Sequence, residues 1–341
     1  MMKDGSTLIM KKKVTLADIA AACGTSTVTV SKALADKSGV GEEMRRKIKE
    51  TAESMGYISA RSPFGLKNEN VCVIVPSKFI NPNGSFYWAL YNSLVVRLKK
   101  DNMYSIMENL SEEDERDLVL PKLVTENKVA AVISLGQLSP EYAEKLIEAR
   151  PETLLLDYYI PEITADSIVT NGYSGGYKLT AYLISQGHKN IGFIGSRFAT
   201  SSIFDRYMGY LKAMIANGLE VRSDWTIDDR DDSRDFIEFD FPKEMPTAFV
   251  CNCDEAAYRA IKQLKSMGYD VPGDISVVGY DNYLISEVSE PSITTINVDS
   301  EYMADIAVSA VEERMLDPNG VRRTRTIDGD LVIKNSVKNI G

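Results

Sequence analysis

Val14-Thr-Leu-Ala-Asp-Ile-Ala-Ala-Ala-Cys-Gly-Thr-Ser-Thr-Val-Thr-Val-Ser-Lys-Ala-Leu-Ala35 reads as two short helices joined by a tight turn. Thr15 can cap the first helix, with Asp18 three residues later in capping-box spacing. Leu16, Ile19 and Ala20 share one helical face, and Gly24 ends the helix because glycine tolerates left-handed backbone. Ser26 is placed to cap the second helix, in which Val30, Ala33 and Leu34 form the inward stripe. Thr27, Val28, Thr29, Ser31 and Lys32 are left near its outward N-terminal end. A short second helix displaying small hydrogen-bonding and methyl-bearing side chains suits a helix-turn-helix that reads the DNA major groove. A purely structural helical hairpin is the alternative and, for Val28, simple helix packing.

Working outward, the polar turn Asp36-Lys-Ser-Gly39 leads to a third helix from about Glu42 to Met55. Met44, Ile48, Ala52 and Met55 line its inner face, and Gly56 closes it. This all-α head occupies residues 14–58 and can bury only a small core, so it is expected to be modestly stable alone. Residues 1–13 form a basic extension in which Lys11, Lys12 and Lys13 either reach phosphates or simply remain solvated. Met10 offers a second start, which would make residues 1–9 an upstream extension. Residues 59–68 read as a linker.

Charge is unevenly distributed. The chain of 341 residues carries a net charge of −10, yet residues 1–66 are at +4 and the remainder at −14. A basic head on an acidic body suits a DNA-binding module attached to something that does not adhere to DNA. No run of 18 apolar residues suggests a membrane span, and the N-terminus lacks the apolar stretch of a secretory signal. Cys23, Cys72, Cys251 and Cys253 form neither a CxxC pair nor a disulfide framework, which points to a reducing cytoplasm.

From Val71 onward, apolar strands alternate with amphipathic helices. Strands are expected at 71–75, 104–107, 129–134, 153–157, 168–170, 190–195, 247–251, 275–280 and 330–334. Helices are expected at about 86–100, 112–127, 140–149, 173–187, 202–217, 253–267 and 302–315. Continuous apolar strands between helices of this length imply parallel sheets covered on both faces. Their number exceeds one open sheet, so two doubly wound lobes with a cleft between them are expected for residues 69–341. Lobe 1 takes about 69–170 and 298–328, and lobe 2 takes about 171–297 and 329–338. Trp225 falls in an expected strand and reads as core.

Catalytic chemistry is poorly supplied. The one histidine, His188, sits in a helix-to-strand turn and reads as structural. No phosphate-binding GxxxxGK[ST] loop, no GxSxG elbow and no metal-spaced cluster occurs, so no cofactor, metal or enzymatic activity is expected. A two-lobed binding protein or a carboxylate-based sugar hydrolase with an incidental helical N-terminus is the competing reading.

Six segments occur in order: the helical head, Gln186-Gly-His-Lys-Asn-Ile-Gly-Phe-Ile-Gly195, Asp205-Arg-Tyr-Met-Gly-Tyr210, Pro272-Gly-Asp-Ile-Ser-Val-Val-Gly-Tyr-Asp281, Pro291-Ser-Ile-Thr-Thr-Ile296 and Leu331-Val-Ile-Lys-Asn-Ser336. Together they resemble the LacI/GalR family of bacterial transcriptional regulators, from about residue 14 to 337. The resemblance implies a helix-turn-helix head, a hinge and a periplasmic-binding-protein-like core of two lobes joined by three crossovers. It implies a homodimer on a pseudo-palindromic double-stranded DNA operator, its affinity set by a small effector, in particular a carbohydrate. The solvent-facing parts of the 86–100 and 112–127 helices, with Tyr87, Trp88 and Tyr91, are candidates for the dimer contact, or for core.

By the same resemblance Thr27, Val28, Ser31 and Lys32 face base edges, with Thr29 beside them, while Thr15 and Ser26 lie near phosphates. Arg61 and Leu66 belong to the hinge, where Leu66 keeps the position of a minor-groove wedge. Pro63 and Gly65 depart from the family's hinge helix and are expected to order it poorly. In the core, strand C-terminal ends offer Ser77 to Tyr87, Asp157, Arg206, Asn252, Cys253 and Asp281. The family places effector contacts at the positions of Phe86, Tyr87, Asp157, Arg206, Cys253 and Asp281. Two carboxylates and a guanidinium suit a polyhydroxylated ligand, and an aromatic ring can cover a sugar's apolar face. The alternative for Asp281 is to cap a helix, and for Arg206 to pair with Asp205 or a lobe partner. Cys253 stands where sugar-binding relatives often carry Asn.

Overall fold

The computed structural model describes residues 14–34, 39–55, 70–80, 86–231 and 235–341. Lys11 to Lys13, Ala35, Gly56, Arg61, Pro63, Gly65 and Leu66 lie outside the described residues. The chain divides into two units, Met1–Glu69 and Asn70–Gly341.

In the first unit, α1 (Leu16–Cys23), α2 (Thr27–Leu34) and α3 (Glu42–Ser54) surround Ile19, Val30, Ala33 and Ile48, all fully buried. The local signals act as their chemistry dictates. The Asp18 amide donates to the Thr15 hydroxyl at 3.3 Å while the Thr15 amide donates to Asp18 Oδ2 at 2.8 Å. Gly24 adopts φ 69°, and the Thr29 amide donates to Ser26 Oγ at 3.1 Å. Arg45 on α3 reaches the carbonyl of Ala33 at 3.4 Å, tying the third helix to the end of the second.

The second unit contains two parallel sheets. Lobe 1 is built from β1 (Asn70–Pro76), α4 (Phe86–Lys100), β2 (Tyr104–Leu110), α5 (Glu112–Arg116), α6 (Lys122–Thr125), β3 (Ala131–Leu135), α7 (Pro140–Ala149), β4 (Thr153–Leu156) and β5 (Asp166–Thr170). Lobe 2 follows with α8 (Gly172–Ser185), β6 (Ile191–Ile194), α9 (Ser201–Ala216), β7 (Thr226–Ile227), β8 (Ala248–Cys251), α10 (Asp254–Ser266), β9 (Ser276–Val278), α11 (Leu284–Val288) and β10 (Thr295–Asn297). The chain then returns to lobe 1 through α12 (Ser300–Leu316) and β11 (Thr324–Ile327) and ends in lobe 2 with β12 (Asp330–Val332). The first sheet has the order β11-β5-β4-β3-β1-β2, and the second β7-β6-β8-β9, with β10 and β12 paired antiparallel beside it.

Strand alternation assigns the faces. Val71, Val73 and Val75 meet Leu90, Leu94 and Leu98 of α4, whereas Cys72 and Ile74 meet Val124, Tyr142 and Leu146 on the other face. In lobe 2, Val250 turns toward Tyr210 and Met214 of α9, while Phe249 turns toward Ala257 and Ile261 of α10. Helices α8 and α9 approach closely because both carry glycine at the contact. A Cβ on Gly176 would stand 2.1 Å from the Arg206 carbonyl oxygen, and one on Gly209 2.1 Å from that of Tyr173. This contact sets where Arg206 sits.

Two expectations are corrected. The single helix at 112–127 is two short helices, because Leu118 adopts left-handed backbone at φ 57° and Pro121 cannot continue the hydrogen-bond ladder. Trp225 lies in a 3₁₀ turn rather than a strand, buried and donating its indole N–H to the Glu244 carbonyl at 2.9 Å. The short strands β10 and β11, and helix α11, were not expected from periodicity. His188 is buried, with Nδ1 2.9 Å from Thr247 Oγ1 and Nε2 3.1 Å from the Lys338 carbonyl, where it anchors the C-terminal segment. Among the described residues, no helix is long and apolar enough to cross a membrane.

Candidate functional site

The head presents its second helix outward. Ser26, Thr27, Val28, Ser31 and Lys32 are exposed, and Thr29 is half-buried. Val28 is 61 % exposed, so it is no part of the head's core. Thr15 is exposed as well, but its hydroxyl donates to Asp18 Oδ2 at 2.7 Å within its own cap. A β-branched methyl pair, hydroxyls and one ammonium on an open helix face can meet thymine methyls, base acceptors and phosphates.

In the core, a cavity of about 480 Å³ lies between the lobes, and Phe86, Tyr87, Asp157, Arg206, Cys253 and Asp281 all line it. Each arrives from the C-terminal end of a strand or the first turns of the following helix, where a doubly wound sheet opens its crevice. Phe86 and Tyr87 start α4, Asp157 follows β4, Arg206 belongs to α9, Cys253 follows β8 and Asp281 follows β9. Asp157 and Asp281 have φ of 69° and 109°, left-handed positions held by the surrounding structure.

Arg206 is the centre of this arrangement. Its Nη1 donates to the Asn252 carbonyl at 2.7 Å, its Nη2 lies 3.5 Å from Asp281 Oδ1, and its guanidinium sits 3.8 Å from the centre of the Tyr280 ring. Burial opposes its charge, but Asp281, Tyr280 and Asp157 outweigh that, holding the guanidinium above its ordinary value. Tyr283, not Asp281, is the N-cap of α11, and Arg206 pairs with a lobe partner, Asp281, rather than with Asp205. On the opposite lobe, the Tyr87 hydroxyl donates to Asp157 Oδ2 at 3.0 Å. Burial pushes the Asp157 carboxyl up to about 6 against the opposing pull of Arg206 and Tyr87. Asp281 is likewise pushed up, by burial first and then by Asp157, despite Arg206. Asp157 Oδ1, Arg206 Nε and Asp281 Oδ1 are buried and receive or make no hydrogen bond. Such groups are costly unless a ligand satisfies them.

Cys253 is the N-cap of α10, where its sulfur accepts from the Ala256 amide at 3.4 Å. Burial pushes its thiol up to about 12, so it behaves as a neutral group. Asn252 also lines the cavity: its side-chain amide donates to Asp229 Oδ2 at 2.7 Å and to the Ile194 carbonyl at 3.2 Å, and its Oδ1 accepts from Arg230 at 3.4 Å.

Several cavity residues were not singled out from the sequence: Lys78 and Phe79 after β1, Arg230 and Phe236 after β7, and Glu255, Arg259 and Tyr283. Lys78 and Phe79 fall within the stretch after the first core strand that was expected to matter. Arg230 and Phe236 sit beyond a two-residue strand, too short for periodicity to mark. Glu255 and Arg259 show the i, i+4 spacing of an ordinary surface pair. The lobes also touch at the cavity's edge: the Ser201 amide donates to Gln137 Oε1 at 2.8 Å, and the Tyr159 hydroxyl to Asp205 Oδ1 at 3.4 Å.

Comparison with known proteins adds the following. Residues 15–59 match the model of bacterial regulatory proteins of the lacI family, and residues 180–337 match that of a periplasmic binding protein-like domain. The HTH-type transcriptional repressor PurR of Vibrio campbellii (strain ATCC BAA-1116) is 25% identical over 334 residues, spanning 96% of this chain and 99% of the relative. The transcriptional regulator CelR in its cellobiose complex is similar in structure with a TM-score of 0.68 at 20% identity, covering 95% of this chain and 100% of that one. The lac repressor dimer bound to operator and the anti-inducer ONPF gives 0.65 at 20% identity, with 96% and 100% covered.

Proposed function

We propose, from the premise that this chain belongs to the LacI family of bacterial regulatory proteins and is a DNA-binding transcriptional regulator, that a small polar effector controls its operator affinity from the cavity between the lobes. The effector class favoured here is a sugar or sugar derivative. The observation that carries this reading is the convergence of Tyr87, Asp157, Arg206 and Asp281 on one cavity, where three buried polar atoms make no hydrogen bond. Carboxylates that accept from vicinal hydroxyls, a guanidinium that donates, and aromatic rings at Phe86, Tyr87 and Phe236 suit a hydroxylated ring. Cellobiose in the similar CelR complex supports the same class.

On the DNA side, Thr27, Val28, Thr29, Ser31 and Lys32 read base edges, and Thr15 and Ser26 lie near phosphates; Arg61 and Leu66 contribute from the hinge. A homodimer presents two such heads to a pseudo-palindromic operator. Exposed Trp88, Val95 and Val96 on α4 and Tyr104 on the edge strand β2 support a dimer contact through lobe 1. Effector occupancy favours one arrangement of the lobes, and by linkage shifts affinity for DNA by the same free energy.

The test is titration of the full-length chain against duplexes from its own genome, with and without free sugars. Binding is expected to fall steeply with salt and to respond to a sugar. A chain that ignores every duplex at low ionic strength ends the regulatory reading. One that binds DNA but is indifferent to sugars ends the choice of effector.

A further inference from the structure

The charges around the cavity carry an inference about which effectors it admits, and this rests on the reading of the cavity as the effector site. Among the described residues, four cations line it, Lys78, Arg206, Arg230 and Arg259. Each is already matched to a carboxylate of the protein. Lys78 Nζ lies 3.0 Å from Glu115, Arg206 Nη2 3.5 Å from Asp281, Arg230 Nη1 2.5 Å from Asp229 and Arg259 Nε 2.7 Å from Glu255. The guanidinium groups of Arg230 and Arg259 also stand 4.3 and 4.5 Å from the centre of the Phe236 ring, which holds them in place.

Among the described residues, four carboxylates line the cavity, Asp157, Asp235, Glu255 and Asp281, and Glu115 and Asp229 stand behind it as partners of Lys78 and Arg230. Asp157 lines the cavity with its only hydrogen bond coming from the neutral Tyr87 hydroxyl, and its second oxygen is buried without a donor. Asp281 Oδ1, 3.5 Å from Arg206 Nη2, accepts no hydrogen bond, and Asp235 adds a further acid to the lining. Apart from Arg206 Nε, which makes no hydrogen bond, the cationic groups here are engaged, so an anionic group would have to displace a protein carboxylate from its cation and then remain beside Asp157. A hydroxyl or an ammonium would instead donate to oxygens that lack a donor.

We propose that the cavity selects by charge, admitting an uncharged or cationic polyhydroxylated ligand and rejecting one that carries a phosphate or carboxylate. Asp157 and Asp281 act as the selecting groups, because they supply the acceptors that hydroxyls need and the negative charge that a phosphate meets.

The experiment uses the full-length protein above neutral pH, with inorganic phosphate as the first probe and thermal unfolding as the readout. Relative to chloride at matched ionic strength, phosphate should give only the gradual, non-saturating rise of an excluded anion. The Asp157→Asn/Asp281→Asn variant, with Arg206 released, should show a saturable rise with phosphate. A saturable rise in the unsubstituted protein that Arg206→Gln or Arg230→Gln removes would overturn the proposal. So would a double variant that shows only the parent's gradual rise. A rise indifferent to both arginines places phosphate outside the cavity and counts for exclusion.

The second probes are glucose and ribose, each beside its terminal phosphate monoester. The ester should bind at least about a hundredfold more weakly than its parent. An ester that binds as well as its parent refutes charge selection and leaves the effector site standing. If neither sugars nor esters bind while the double variant gains phosphate binding, charge selection holds and the carbohydrate reading fails.

Discussion

Asp157→Asn should make the core more stable and the sensor worse. The carboxyl is 4 % exposed, and burial raises it from 3.8 to about 6 despite Arg206 and the Tyr87 hydroxyl. A folded-state value above the unfolded one means that the fold prefers the protonated acid. The stability it contributes is complete below about pH 4 and is lost as pH rises through about 6. The loss amounts to roughly 3 kcal/mol. Asparagine imitates the protonated acid: it keeps an oxygen to accept from Tyr87 and carries no charge. It also tolerates the left-handed φ of 69° at this position better than most residues, so the backbone has no reason to move. Urea unfolding of the parent and the variant should therefore coincide near pH 4 and separate progressively, reaching about 3 kcal/mol in favour of Asn near pH 8. At the same time the loss of a charged acceptor should weaken effector binding by about 1.5–3 kcal/mol. Parallel stability curves across this range, or a variant less stable at alkaline pH, would refute the reasoning.

Lys32→Glu should abolish operator binding in an anisotropy titration while circular dichroism and the melting profile stay unchanged, since Lys32 is exposed and outside the head's core. Gly176→Ala should destabilise the core by about 3 kcal/mol in chemical denaturation, because the added carbon meets the Arg206 carbonyl at 2.1 Å and helices α8 and α9 must separate. The same substitution should impair the effector response by displacing Arg206. Cys253→Ser should raise stability by about 0.5–1 kcal/mol, since a hydroxyl accepts from the Ala256 amide better than a sulfur at 3.4 Å; an unchanged or lower unfolding midpoint would count against the cap.

The features legible in the sequence are those whose partners lie within a turn or two of chain. The Thr15–Asp18 box, the Gly24 stop and the Ser26 cap are contacts between residues at most four apart, so residue type and spacing suffice to specify them. The alternation of Val71 to Val75 and the helical stripe of Leu90, Leu94 and Leu98 are equally local, and they imply layered sheets and helices before any fold is seen. The break at Leu118 is different. Its carbonyl accepts from Lys145 Nζ at 2.9 Å and that of Val119 from the Tyr142 hydroxyl at 3.0 Å, both on α7 more than twenty residues away. A helical pattern there yields to hydrogen bonds that only the assembled lobe supplies.

Cavity residues divide along the same line. That Asp157, Arg206, Cys253 and Asp281 follow strands or open helices could be read from position and from resemblance. Their mutual geometry could not. Arg206 meets Asp281 because two glycines let α8 and α9 touch and because β9 lies beside β8 in the second sheet. Arg230 and Phe236 enter the cavity through a two-residue strand whose pairing with β6 fixes their direction. Which carboxylate neutralises which cation is thus a property of strand order and helix approach. Sequence patterning specifies faces and ends, because those depend on backbone periodicity; the pairing of charges across a cleft depends on three-dimensional distance, which arises only when remote segments converge.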